Sequence, residues 1–140
     1  MLPNILTPML ALILWTFVIW LWMYATRIPA MRAAGIDPAK IKQKSELEAL
    51  PVRVKQIADN YNHLHEQPTV FYALLVYCHL VGVKDELNVG LAWGYVALRI
   101  AHSLIQCTGN FVPLRFTVFA ASSVVLMVIA IRNVIAILVV

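Results

Sequence analysis

Arg99, His102 and Gln106 follow one another at three and four residues, a spacing that sets all three on one face of an α-helix. Their surroundings are apolar: twelve uncharged residues precede Arg99 and fifteen follow it. A guanidinium so deep in an apolar run costs roughly 2.5 kcal/mol or more in a bilayer, and such a group faces a partner or a wet cavity. It demands an anion. A second stripe lies upstream, where Asp59, His63 and Glu66 stand four and three residues apart with Asn62 at the border. If the two helices are antiparallel neighbours, these stripes bury each other in a polar pocket, with Glu66 as the leading counter-ion for Arg99. Such a pocket either binds a ligand or fixes helix register, as buried polar pairs do. Arg115, after the turn QCTGNFVPL, is either an interface anchor or a further ligand contact.

Other chemistries lack their signatures. His63, His65, Glu66, His79 and His102 offer metal-ligand types, but His63 and His65 point to different helix faces, and neither HExxH nor paired cysteines occur. No metal is expected. There is no Gly-rich phosphate loop, no serine nucleophile elbow and no basic–aromatic surface for nucleic acid. Cys78 and Cys107 fall within or beside apolar segments and read as free thiols.

The elements that must position these residues are membrane spans. Only 13% of the 140 residues are charged, against 61% hydrophobic, whereas roughly a quarter of a soluble domain is charged. Lipid is therefore the partner of most of the chain. A spanning helix takes about 20 residues, which predicts an all-α, integral membrane four-helix bundle forming one domain over 1–140. The spans are expected at about 5–26, 67–83, 87–107 and 116–138. The second helix is expected to start after Pro51 and to run unbroken into its span, bent at Pro68 beside the polar cluster. Gly90, Gly94, Ala97 and Ala101 form a small-residue stripe on the third span, the mark of a helix seam within or between subunits.

Seven of the eleven basic residues, Arg27, Arg32, Lys40, Lys42, Lys44, Arg53 and Lys55, lie in the loop of about 27–58. The positive-inside rule puts that loop in the cytoplasm and both termini outside. The net charge of +4 thus reads as topology. Asp37 and Pro38 read as a helix start, and Ser45 with Glu48 as a capping box. Arg132, near the far end of the last span, is free to snorkel to the opposite interface.

Two segments, DNYNHLHEQPTVFYALLVY and YVALRIAHSLIQCTGNFVPLRFTVFAAS, together resemble the MAPEG family, membrane-associated proteins in eicosanoid and glutathione metabolism. The likeness is to the bacterial branch and covers most of residues 5–138. It implies a homotrimer of four-helix bundles in a bacterial inner membrane, with glutathione as co-substrate held between subunits at the cytoplasmic side. By this resemblance Glu66, Arg99 and His102, with Asn62, His63 and Gln106 around them, contact or support the tripeptide. Arg115 matches an arginine that stabilises the glutathione thiolate, and Arg27 or Arg32 supplies a further contact. The implied activity is that of a glutathione-dependent transferase or peroxidase acting on lipophilic electrophiles or hydroperoxides.

The sequence also departs from the family pattern. Arginines and an asparagine that active eicosanoid-type members carry before the glutamate are replaced by Asp59, Asn60, Tyr61, Asn62 and His63, and two family tyrosines stand here as Gln106 and Phe119. These departures favour a second reading, a non-catalytic trimeric scaffold or small-ligand binder with the same fold. A transporter or channel subunit ranks last, since neither an internal repeat nor an acidic ring is visible.

Overall fold

A computed structural model describes residues 4–139, and every regular element among them is helical. The outermost termini, Met1–Pro3 and Val140, lie outside the described residues. Helix α1 spans Leu6–Ala33, longer than the apolar run predicts, because the helix continues through Arg27 and past Pro29. Thr16 and Thr26 keep their hydroxyls satisfied in the apolar stretch by donating to the carbonyls of Leu12 and Trp22, at 2.9 and 3.1 Å.

Two short 3₁₀ turns, Pro38–Lys40 and Lys44–Leu47, carry the basic loop. Asp37 caps the first as expected, accepting from the Ala39 amide at 3.0 Å. The expected capping box does not form. Ser45 lies inside the second turn and its hydroxyl meets the Gln43 side chain at 3.4 Å instead.

The unbroken second helix is also corrected. It is two helices, α2 over Val52–His63 and α3 over Gln67–Val81. Pro68 has no N–H for the Leu64 carbonyl, and its ring clashes there. The chain therefore breaks at Leu64–Glu66, where Glu66 takes a non-helical conformation (φ −97°, ψ −100°). Helix α3 ends at Gly82, whose φ of +80° is open to glycine at no steric penalty. Asp85 caps α4, Glu86–Cys107, accepting from the Asn88 amide at 3.1 Å. A tight turn leads into α5, Val112–Val139.

The core runs between the helices through Leu12, Ile19, Ile57, Leu64, Phe71, Leu75, Tyr95, Val96 and Ile129. Phe71 and Tyr95 stack at 4.4 Å between ring centroids. Outside this core the surface is itself apolar, with Leu14, Phe17, Leu21, Leu80, Phe116 and Ile137 all exposed. Helices α1 and α5 are each long and apolar enough to cross a membrane, and exposed apolar surface of this extent suits a lipid environment. A methyl built on Gly90 or Gly94 would meet no atom within 4 Å. The small-residue stripe is therefore not a seam within the chain; Gly90 and Ala97 are exposed.

At the end away from the basic loop, Arg132 does reach toward the helix ends, but onto partners. Its Nε donates to the Asn88 side chain at 2.8 Å and its Nη2 to Asp85 at 3.1 Å. This fastens α5 to the α3–α4 turn.

Candidate functional site

The break between α2 and α3 opens a cavity of about 280 Å³ against α4 and α5. His63, Glu66 and Gln67 line it from the break, and Arg99 and His102 from α4. Arg115, Val112, Phe116 and Phe119 close it from α5. The wall formed by the break and α4 is therefore polar, and the α5 wall is apolar except for Arg115.

Arg99 dominates the polar wall. The side chain is 1% exposed, and Nη2 donates to the His63 carbonyl at 3.3 Å. Helix α2 ends at His63, and its carbonyl, which accepts the Glu66 amide at 3.2 Å, has a second lone pair for Arg99. The Nε and Nη1 groups of Arg99 are buried with no hydrogen-bond partner among the described residues. The guanidinium carbon lies 5.8 Å from the Phe119 ring centroid, within cation–π range. Neither contact supplies a counter-charge.

The expected Arg99–Glu66 pair is absent: the ion pairs among the described residues are Lys55–Glu48 and Arg132–Asp85. Both groups line the same cavity, but the helix break carries Glu66 off the α2 periodicity on which the pairing was based. The same periodicity misplaced Asp59 and Asn62. Both are exposed and line a different cavity, beside α1. Asn60 takes the inward place on α2, fully buried, with its side-chain oxygen accepting from Ser103 at 3.2 Å. This was readable, since Val54, Ile57 and Leu64 mark the buried face at helical spacing and Asn60 falls among them.

His63 and Gln106 do meet, with Nδ1 and Oε1 3.1 Å apart. The ring of His102 lies 6.2 Å from that of His63, and its buried Nδ1 has no partner among the described residues. Gln106 is buried beneath these groups and does not line the cavity. Arg115, half-buried, donates through Nη1 to the Asn110 side chain at 2.6 Å.

Gln67 was not anticipated. Its amide nitrogen donates to Ser123 on α5 at 2.8 Å, and its oxygen accepts from Tyr95 on α4 at 3.1 Å. It pins the start of α3 to both neighbours and so holds the adjacent Glu66 at the cavity. A glutamine beside a proline carries no sequence signal for this role. Among the described residues no cluster suited to holding a metal ion occurs.

A helical bundle with a lipid-compatible exterior and a cationic cavity at a helix break defines a class of membrane protein. Residues 5–135 match the MAPEG family, nearly the whole chain, and the protein belongs to that family of membrane helical bundles. Comparison with curated proteins and with solved structures gives no match.

Proposed function

We propose that this protein is a membrane-embedded, glutathione-dependent transferase or peroxidase acting on lipophilic electrophiles or hydroperoxides. The observation that carries the reading is Arg99: a buried cation with two unpartnered nitrogen groups, facing a cavity it shares with Arg115. Glutathione brings what such a cavity lacks, since a carboxylate accepts charge-assisted hydrogen bonds from a guanidinium. Arg99 binds a carboxylate of the tripeptide, Glu66 receives its ammonium group, and His63 and His102 frame the peptide. Arg115 then stands beside the thiol. A neighbouring cation lowers a thiol pKa, and the thiolate is the nucleophile. The sulfur forms its new bond to an electrophilic carbon of a substrate that reaches it along the apolar wall of Val112, Phe116 and Phe119, while that carbon's bond to its leaving group breaks and the leaving group departs with the electron pair. With a hydroperoxide the sulfur bonds the terminal oxygen as the O–O bond breaks; the alkoxide leaves and takes up a proton, and a second glutathione thiol then displaces water from the oxidised sulfur to give the disulfide.

Helices α3 and α4 complete four spans with α1 and α5 in this reading, and the basic loop faces the cytoplasm. An adjoining copy of a homotrimer completes the cavity. The exposed Gly90 and Ala97 allow close backbone approach there.

Calorimetry of the detergent-solubilised protein with glutathione tests the proposal. Binding in the millimolar range or tighter is expected, together with loss of thiol conjugation or peroxidase turnover in Arg115→Ala while the assembly stays intact. The absence of binding at millimolar glutathione refutes it. The tie of Arg115 to Asn110 at 2.6 Å, with Phe119 in place of a hydroxyl-bearing side chain, favours the second reading, a non-catalytic scaffold or small-ligand binder. Arg115→Ala without effect in any thiol assay would select it.

A further inference from the structure

A second cavity, of about 700 Å³, opens where α1, α2 and the basic loop meet. Three cations line it, Arg27, Lys44 and Lys55, with two carboxylates, Glu48 and Asp59. Lys55 and Glu48 answer each other, at 3.8 Å between charged groups and 3.2 Å from the Lys55 amine to the Glu48 carbonyl. Arg27 and Lys44 have no ion pair among the described residues, and the buried Nε of Arg27 has no hydrogen-bond partner among them either. Two uncommitted cations thus outweigh the one remaining carboxylate, which favours an anion.

The position of the cavity says which kind. Arg27 is the first charge after the uncharged run that ends at Thr26, so the cavity straddles the boundary between apolar and polar chain. Met23 and Tyr24 form its apolar edge. From Tyr24 an exposed stripe of Leu21, Phe17, Leu14 and Leu10 continues along one face of α1, stepping by three and four residues. A cationic, amide-lined mouth that leads onto an apolar track matches an anion with a hydrocarbon tail.

We infer that this cavity binds a phosphate group, and that its source is the headgroup of an anionic phospholipid whose chains lie along the Tyr24–Leu10 face. Arg27 and Lys44 hold the phosphate, and Gln56 and Asn62 offer amide donors to its oxygens. The site reaches the first cavity through Asn110, which lines the lipid cavity and accepts from Arg115.

The test uses the full-length protein in nanodiscs containing equal phosphatidylglycerol and phosphatidylcholine, followed by detergent extraction and mass spectrometry of the lipid that stays bound. The wild type is expected to keep phosphatidylglycerol selectively, and Arg27→Gln and Lys44→Gln each to weaken retention about fivefold. Lys44 lies in an exposed turn, so its variant remains informative if Arg27→Gln disturbs folding. Release by excess inorganic phosphate would assign the site to the phosphate group alone; persistence assigns it to the lipid. Equal retention of both lipids, unchanged retention in the variants, or displacement by glutathione overturns the inference. Glutathione binding at the Arg99 cavity is measured separately, so either reading can fail without the other.

Discussion

Replacing Arg99 by methionine separates a ligand-binding arginine from one that holds the bundle together. Methionine is long, unbranched and apolar, so it fills the same path between α2, α4 and α5 without the charge. In the free protein the exchange removes one hydrogen bond, from the guanidinium to the His63 carbonyl at 3.3 Å, worth about 1.5 kcal/mol for a charged donor at the low end of its range. It also removes the burial of an unpaired cation, which costs roughly 2.5 kcal/mol or more. The second effect is larger, so Arg99→Met is expected to unfold at the same temperature as the wild type or higher. Glutathione binding changes in the opposite sense. Two charge-assisted hydrogen bonds from the unpartnered Nε and Nη1 groups contribute about 3 kcal/mol together at the low end of their range. At 1.4 kcal/mol per decade this is about a hundredfold loss of affinity. Thermal unfolding and calorimetry in one detergent read both quantities. A variant that unfolds several degrees lower and still binds glutathione as the wild type does would refute the assignment and make Arg99 a structural residue.

Gln67→Ala deletes two hydrogen bonds that tie the start of α3 to Tyr95 and Ser123, and a loss of about 1–2 kcal/mol is expected. Denaturant unfolding checks it, with Gln67→Glu as the partial rescue because its carboxylate still accepts from Tyr95. The carboxyl of Asp85 is pushed up by burial, but the Asn88 amide and the Arg132 guanidinium outweigh this and hold it below the usual range. Its folded pKa is therefore below its unfolded one, so the stability it contributes is present above about pH 4 and fades as pH falls through the folded value. Asp85→Asn is expected to flatten the acid limb of a stability–pH curve, and an unchanged acid limb would discount the Asp85–Arg132 pair.

The helices were legible because apolar runs and caps are local. Asp37 and Pro38 signal their turn within two residues, and the uncharged run before Arg27 announces α1. The inward face of α4 was equally legible, since Tyr95, Arg99, His102 and Gln106 keep helical spacing throughout an unbroken helix and all four are buried. The α2 side misled because periodicity holds only as far as the helix does. Pro68 signalled an interruption, but whether a proline bends or breaks a helix depends on what its neighbours bond to, and here Gln67 finds partners 28 and 56 residues away. Long-range partners of that kind leave no trace in spacing. Nor does sequence show which cations have acids near them: Arg132, expected to snorkel to the interface, is paired with Asp85, while Arg99, for which Glu66 is the expected counter-ion, has no ion pair among the described residues.

Asn110 places a narrow limit on how this chain can vary. Its φ of +51° lies in the left-handed region, which asparagine and glycine enter readily and β-branched residues do not. Its side chain also receives Arg115. Glycine would satisfy the backbone and release the arginine; aspartate would keep both and add a charge; almost any other residue would strain the turn. A drift to glycine at this position would therefore change the poise of Arg115 without disturbing the fold, giving natural variation a single-residue route between a tethered and a free arginine.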